Sequence, residues 1–152
     1  MKQLNQFITE KFRLSKDNLE PHYNYHPKTK HELMKIIDKL IKERDIDADL
    51  NDIDTSEITD MSNLFYQSKF NGDISNWDVS KVTEMDHMFR DSQFNGDISD
   101  WDVSNVETMF AMFNCSQFNG DISKWNVSKV KDMKCIFTGS SLEGNPPAWY
   151  KE

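Results

Sequence analysis

Four histidines, two cysteines and a recurring set of aspartates are the side chains that could carry chemistry in this chain of 152 residues. His22, His26, His31 and His87 stand at no metal-binding or triad-like spacing. His31-Glu32 does not open a His-Glu-x-x-His helix, because Lys35 takes the last position. Cys115 and Cys135 are too few for a disulfide scaffold and read as small buried or half-buried thiols. Gly72, Gly96 and Gly120 each stand alone, so there is no phosphate-cradling loop. No catalytic residue, metal site or cofactor is expected, and the chain reads as a non-enzyme.

The aspartates are more informative. Asp73, Asp97 and Asp121 recur every 24 residues, and Asp78 and Asp102 recur with Asn126 after them and Asp54 before. On a strand that turns Trp77 and Val79 inward, Asp78 must face outward. Stacked copies then hold like charges about 5 Å apart, which is unfavourable unless compensated. Backbone N–H groups of the next turn, a bound cation, or a basic partner surface would each compensate. The Gly-Gly-x-Gly-x-Asp nonapeptide of calcium-binding β-rolls is absent.

These residues sit in a repeat. Phe70, Phe94 and Phe118 are each followed by Asn-Gly-Asp-Ile-Ser, giving units 70–93, 94–117 and 118–141. In register come Trp77/Trp101/Trp125, Val79/Val103/Val127, Met85/Met109/Met133 and Phe89/Phe113/Phe137. One step back, Leu50, Ile53, Ile58, Met61 and Phe65 mark a degenerate unit, 46–69. One step forward, Leu142 and Trp149 hold the register while Pro146 and Pro147 stop any strand. A fixed period of this length signals a stacked array. Within each unit, the alternation at 77–79 predicts a short strand, and the spacing 82, 85, 88, 89 predicts a short helix. Ser80, Ser104 and Ser128 occupy the N-cap positions of those helices.

The expected fold is therefore an α/β repeat. It is a short leucine-rich-repeat-like solenoid, with one strand plus one short helix per 24-residue coil, and an N-terminal helical cap. Residues 1–45 form the cap, 46–141 the four-coil solenoid and 142–152 a C-terminal cap. Trp77, Trp101, Trp125 and Trp149 form a core ladder at the strand spacing of about 4.8 Å. In the cap, Thr29 and Glu32 form a capping box after Pro27. Leu33, Met34, Ile36, Ile37, Leu40 and Ile41 give that helix an apolar stripe to lay over the first coil. A shorter helix over 3–13, with Leu4, Phe7, Ile8 and Phe12 on one face, precedes it.

The net charge of −8 divides into +4 over residues 1–44 and −12 over 45–152. An acidic body argues against nucleic acid as a partner. No apolar run approaches the roughly 18 residues of a membrane span. The N-terminus lacks a signal-peptide h-region, so the chain as given is expected in the cytoplasm, and at a cell surface only if a signal was removed.

The run Phe-Asn-Gly-Asp-Ile-Ser-x-Trp-Asp-Val-Ser-x-Val-x-x-Met-x-x-Met-Phe at 70–89 resembles the repeat of BspA-like surface proteins and Mycoplasma-type lipoproteins. The ending Gly144-Asn145-Pro146-Pro147-Ala148-Trp149-Tyr150 resembles small gut-bacterial and phage members. The resemblance implies a leucine-rich-repeat-like fold and, for surface members, adhesion or host-protein binding.

The function expected is a monomeric, non-catalytic protein-interaction module using its outward strand face. The candidate contact residues are Asn76, Asp78, Asp100, Asp102, Lys124 and Asn126, since the first position of each pair varies while the core positions do not. A structural or assembly module stabilised by cations on the Asp columns is the alternative.

Overall fold

The computed structural model describes residues 21–151; the helix expected over 3–13 lies outside them. The 24-residue units stack as layers, here layer 1 (46–69), layer 2 (70–93), layer 3 (94–117) and layer 4 (118–141). Isolated parallel bridges run up one corner, Asp60 to Glu84 to Thr108 to Asp132. Inside, equivalent rings pile into columns. Phe65, Phe89 and Phe113 follow at 5.6 Å between centroids and Phe137 at 6.0 Å. Phe70, Phe94 and Phe118 follow at 6.2 and 6.3 Å. Offset stacks of this kind add to the apolar area that each ring buries.

The expected strand and helix in each coil are both absent, which overturns the leucine-rich-repeat-like α/β solenoid. Among the described residues the one α-helix is α1 (Lys30–Arg44), and β-pairing is limited to single bridges. The reason lies in the backbone. Asn63, His87, Ala111 and Cys135 have φ between 51° and 61°, and Gln67, Asp91, Cys115 and Gly139 between 54° and 69°. Each layer thus passes twice through the left-handed region, four residues apart, and no α-helix survives that.

Hydrogen bonding follows the same beat. The amides of Met61, Asn63, Phe65 and Gln67 donate to carbonyls of Glu84, Asp86, Met88 and Arg90 in the next layer, all at 2.9 Å. The intervening amides of Leu64, Tyr66 and Ser68 close tight turns onto Met61, Asn63 and Phe65. Turns three residues wide, repeated, give apolar spacings of three that imitate a helix.

At 77–79 the expected alternation holds but the strand does not. Trp77 and Val79 are buried and Asp78 is exposed. The amides there close turns instead of a ladder, Trp77 onto Ile74 and Val82 onto Val79. The indoles make the cross-layer link. The Nε1–H of Trp77, Trp101, Trp125 and Trp149 donates to the carbonyls of Leu50, Ile74, Ile98 and Ile122 at 2.8–3.2 Å. Ser80, Ser104 and Ser128 cap no helix; each donates to the side chain two residues before it. The thiols of Cys115 and Cys135 are exposed rather than buried.

Helix α1 starts where its sequence says. The Thr29 hydroxyl accepts the Glu32 amide at 3.2 Å, and the Glu32 carboxylate accepts the Lys28 amide at 2.7 Å. Leu33, Ile37 and Leu40 are buried in the core shared with the layers. Met34, expected in that stripe, is instead 38% exposed. Both helix ends are tied to layer 1. Lys30 Nζ meets Asp60 and Ser62 Oγ at 2.7 Å each. Arg44 grips Asp52 with two bonds of 2.9 Å. The Arg44 bond, helped by Asn24, holds the Asp52 carboxyl at about 2, below its ordinary 3.8.

Two predictions follow from this backbone. Gln67 is exposed at φ 55° where layer 4 has Gly139. Gln67→Gly should raise the unfolding free energy by about 0.5–1 kcal/mol, because glycine enters the left-handed region without strain. Lys35→Gly on exposed α1 should lower it by about 1 kcal/mol. Urea denaturation ranks the two, and equal losses would refute the left-handed assignment.

Asp52→Asn should cost roughly 1–2 kcal/mol near pH 7, allowing for its partial exposure. The folded pKa lies below the unfolded one, so this contribution is complete above about pH 4 and is lost as pH falls from there toward about 2. The stability gap between wild type and variant should therefore close across that window in denaturation curves taken at each pH. A gap that persists undiminished to the bottom of the window would contradict it.

Candidate interaction face

Asn76, Asp78, Asp100, Asp102, Lys124 and Asn126 are all exposed, and the stacking of layers 2, 3 and 4 aligns them as two neighbouring columns. Their geometry is set by one recurring turn. Asp78 Oδ1 accepts the Ser80 amide at 3.0 Å and its hydroxyl at 2.6 Å. Asp102 Oδ1 accepts the Ser104 amide at 3.1 Å, and Asn126 Oδ1 the Ser128 amide at 3.1 Å. The Ser104 hydroxyl and amide hold the Asp102 carboxyl below its ordinary range, with Lys129 assisting. One oxygen of each side chain thus belongs to the fold. The second, Oδ2 in Asp78 and Asp102, takes no hydrogen bond from any described residue, and both residues are exposed.

The neighbouring column is built in the same way. Asp73, Asp97 and Asp121 accept the amides of Ser75, Ser99 and Ser123 at 2.9–3.0 Å. For Asp73 the Ser75 amide is the largest cause of a lowered pKa, followed by the Ser75 hydroxyl and the Asn51 side-chain amide. Asp97 is lowered by the Ser99 hydroxyl and amide despite the opposing charges of Asp73 and Asp121. Hydrogen bonds to the charged form therefore outweigh repulsion up the column. Among the described residues no three His, Cys, Asp or Glu side chains gather closely enough to share a metal ion.

Beside the candidate columns runs a polar string that the sequence reading missed. Asn105 Nδ2 donates to the Ser80 carbonyl at 2.7 Å, and Lys129 Nζ donates to Asn105 Oδ1 at 2.7 Å. It links layers 2, 3 and 4 through offsets of 25 and 24 residues. The offset of Asn105 from Ser80 was the available signal, but it has meaning only once the layers are known to stack.

The histidines remain scattered. His26 Nδ1 lies 3.3 Å from Asp54, and His87 packs edge-on to Phe110 at 5.1 Å between ring centroids. No helix among the described residues is long and apolar enough to cross a membrane.

No curated protein and no solved structure matches the chain. The model of a Mycoplasma protein family of unknown function, DUF285, matches residues 34–149, which takes in most of α1 and all four layers. The chain belongs to this family.

Proposed function

We propose that the protein is a non-catalytic interaction module whose outward columns at 76/100/124 and 78/102/126 meet a basic surface of a protein partner. The observation that carries this reading is the division of labour within each carboxylate. Oδ1 of Asp78 and Asp102 is used by the turn, while Oδ2 of these exposed residues takes no hydrogen bond from the described residues. A constant backbone thus presents side chains that differ from layer to layer: Asn76 with Asp78, Asp100 with Asp102, and Lys124 with Asn126. Exposed charge of this kind steers association and selects partners more than it adds affinity. The likeness of the repeat to BspA-like surface proteins favours adhesion to another protein as the form the contact takes.

Asn126 supplies the appropriate variant, because it makes the same turn without the charge. Asp78→Asn with Asp102→Asn should keep the melting temperature within a few degrees, since the Ser bonds are retained. The same pair should sharply reduce capture of basic proteins in pull-downs from the source cell lysate. Asp78→Lys with Asp102→Lys should abolish it. Undiminished capture by either double variant would remove these columns as the contact surface.

A further inference from the structure

In its turn-forming segment each layer hands its alternate amides to the layer that follows, and layer 4 has no described layer to receive them. The series Met109, Ala111, Phe113 in layer 3 donates to the carbonyls of Asp132, Lys134 and Ile136. In layer 4 it continues as Met133, Cys135 and Phe137, whose amides meet no acceptor among the described residues. Gly139, next in the series, is satisfied by the Glu143 carboxylate at 3.1 Å.

The carbonyls of the same segment are already used. Those of Met133, Cys135 and Phe137 accept turn amides from Ile136, Thr138 and Ser140. The edge therefore offers backbone donors and no backbone acceptors, and an unpaired row of this kind is a template for another chain.

Two observations indicate what fits. Met133 and Cys135 border a groove of about 460 Å³, closed by Tyr150, which packs edge-on against the buried Phe137 at 5.2 Å. Lys131, Lys134 and Lys151 line it against a single acid, Asp132. Lys131 is engaged with Glu107, which leaves Lys134 and Lys151 to face an incoming charge. At the opposite end, the fold already holds a non-repeat segment by its backbone. The Asn24 amide donates to the Asp52 carbonyl at 2.8 Å, and the Asp54 amide donates to the Tyr25 carbonyl at 2.8 Å. Tyr25 and Ile53 form a parallel bridge there.

We propose that the layer 4 edge binds an extended acidic segment of another protein. The segment's carbonyls take the amides of Met133 and Cys135, which line the groove, and its carboxylates meet Lys134 and Lys151. Two copies of this chain cannot join through this edge alone, because donor would meet donor. The site is separate from the Asp78 and Asp102 columns and stands without them.

Amide exchange in ¹⁵N-labelled protein tests this directly. In the free protein, Met133 and Cys135 should exchange roughly a hundredfold or more faster than Met109 and Ala111. A short N-acetylated peptide of alternating Asp and Val should shift the Met133 and Cys135 resonances saturably and slow their exchange. The same peptide with Lys in place of Asp should not. Lys134→Glu with Lys151→Glu, both exposed, should bind the acidic peptide roughly tenfold more weakly while the layer 3 amides keep their protection. The proposal is overturned by slow exchange of the Met133 and Cys135 amides in the free protein, by equal response to both peptides, or by protection that grows with protein concentration alone.

Discussion

The alternation of backbone amides between their own turn and the neighbouring layer is the constraint on which the rest of the structure depends. In the segment from Met61 to Ser68, odd residues donate outward along the stack and even residues donate inward to a turn. Both left-handed positions are required for this, because a continuous right-handed path would return every amide to its own chain. The alternation fixes the vertical register, so that Phe65 must lie beneath Phe89 and Phe89 beneath Phe113. Ring columns and backbone columns then reinforce one another. Shifting one layer by a single residue would break both.

Polar side chains complete what the tight turns leave open. Ser68, Ser92 and Ser116 accept the amides of Phe70, Phe94 and Phe118 at 3.1–3.3 Å. Ser92 and Ser116 are buried, yet no buried side-chain polar atom among the described residues lacks a partner. Asn71 Oδ1 accepts the Asn95 amide, and Asn95 Oδ1 the Asn119 amide, at 2.7 and 2.8 Å. The repeat motif is therefore conserved between layers in its polar positions for the same reason as in its apolar ones. Each Asn, Asp and Ser supplies a bond that a regular strand or helix would have supplied from the backbone. Glycine enters for a different reason. A Cβ on Gly96 or Gly120 would stand 2.6–2.8 Å from the Phe ring of its own layer.

The 24-residue register was legible because it is a statement about side chains. Trp77, Trp101 and Trp125 occupy equivalent buried sites, and the layers align as the sequence aligns. Helix α1 was legible too, since Thr29 and Glu32 are local signals. The strand and the short helix were misread for one physical cause. Left-handed residues are usually recognised by glycine, yet seven of the eight in the layers are Asn, Gln, His, Asp, Ala or Cys, and only Gly139 announces itself. With that signal missing, spacings of three at Val82, Met85 and Met88 look helical. The candidate face was legible as a set of outward positions, but the splitting of each carboxylate between turn and solvent was not. That depends on the Ser hydroxyl turning back two residues, which spacing alone does not determine.

Layers 2, 3 and 4 keep the same Phe and Trp at their core positions and differ at outward ones such as Asn76, Asp100 and Lys124. Trp101 cannot change without losing both its stack and its bond to Ile74, whereas Asp100 is exposed and its side chain makes no hydrogen bond or ion pair with a described residue. The ends differ for a deeper reason, because a directional hydrogen-bond series must begin with unused carbonyls and finish with unused amides. At the first end, α1 shields the core, with Lys30 and Arg44 fastening it to Asp60 and Asp52. At the other, Leu142 and Trp149 continue only the aromatic half of a further layer, with Trp149 bonded to Ile122 at 2.8 Å. In the turn-forming half of layer 4, the Met133 and Cys135 amides take no acceptor among the described residues and border a groove. The asymmetry is thus a consequence of stacking turns in one direction, and it places the two chemically distinct surfaces of the molecule on its side columns and its final edge.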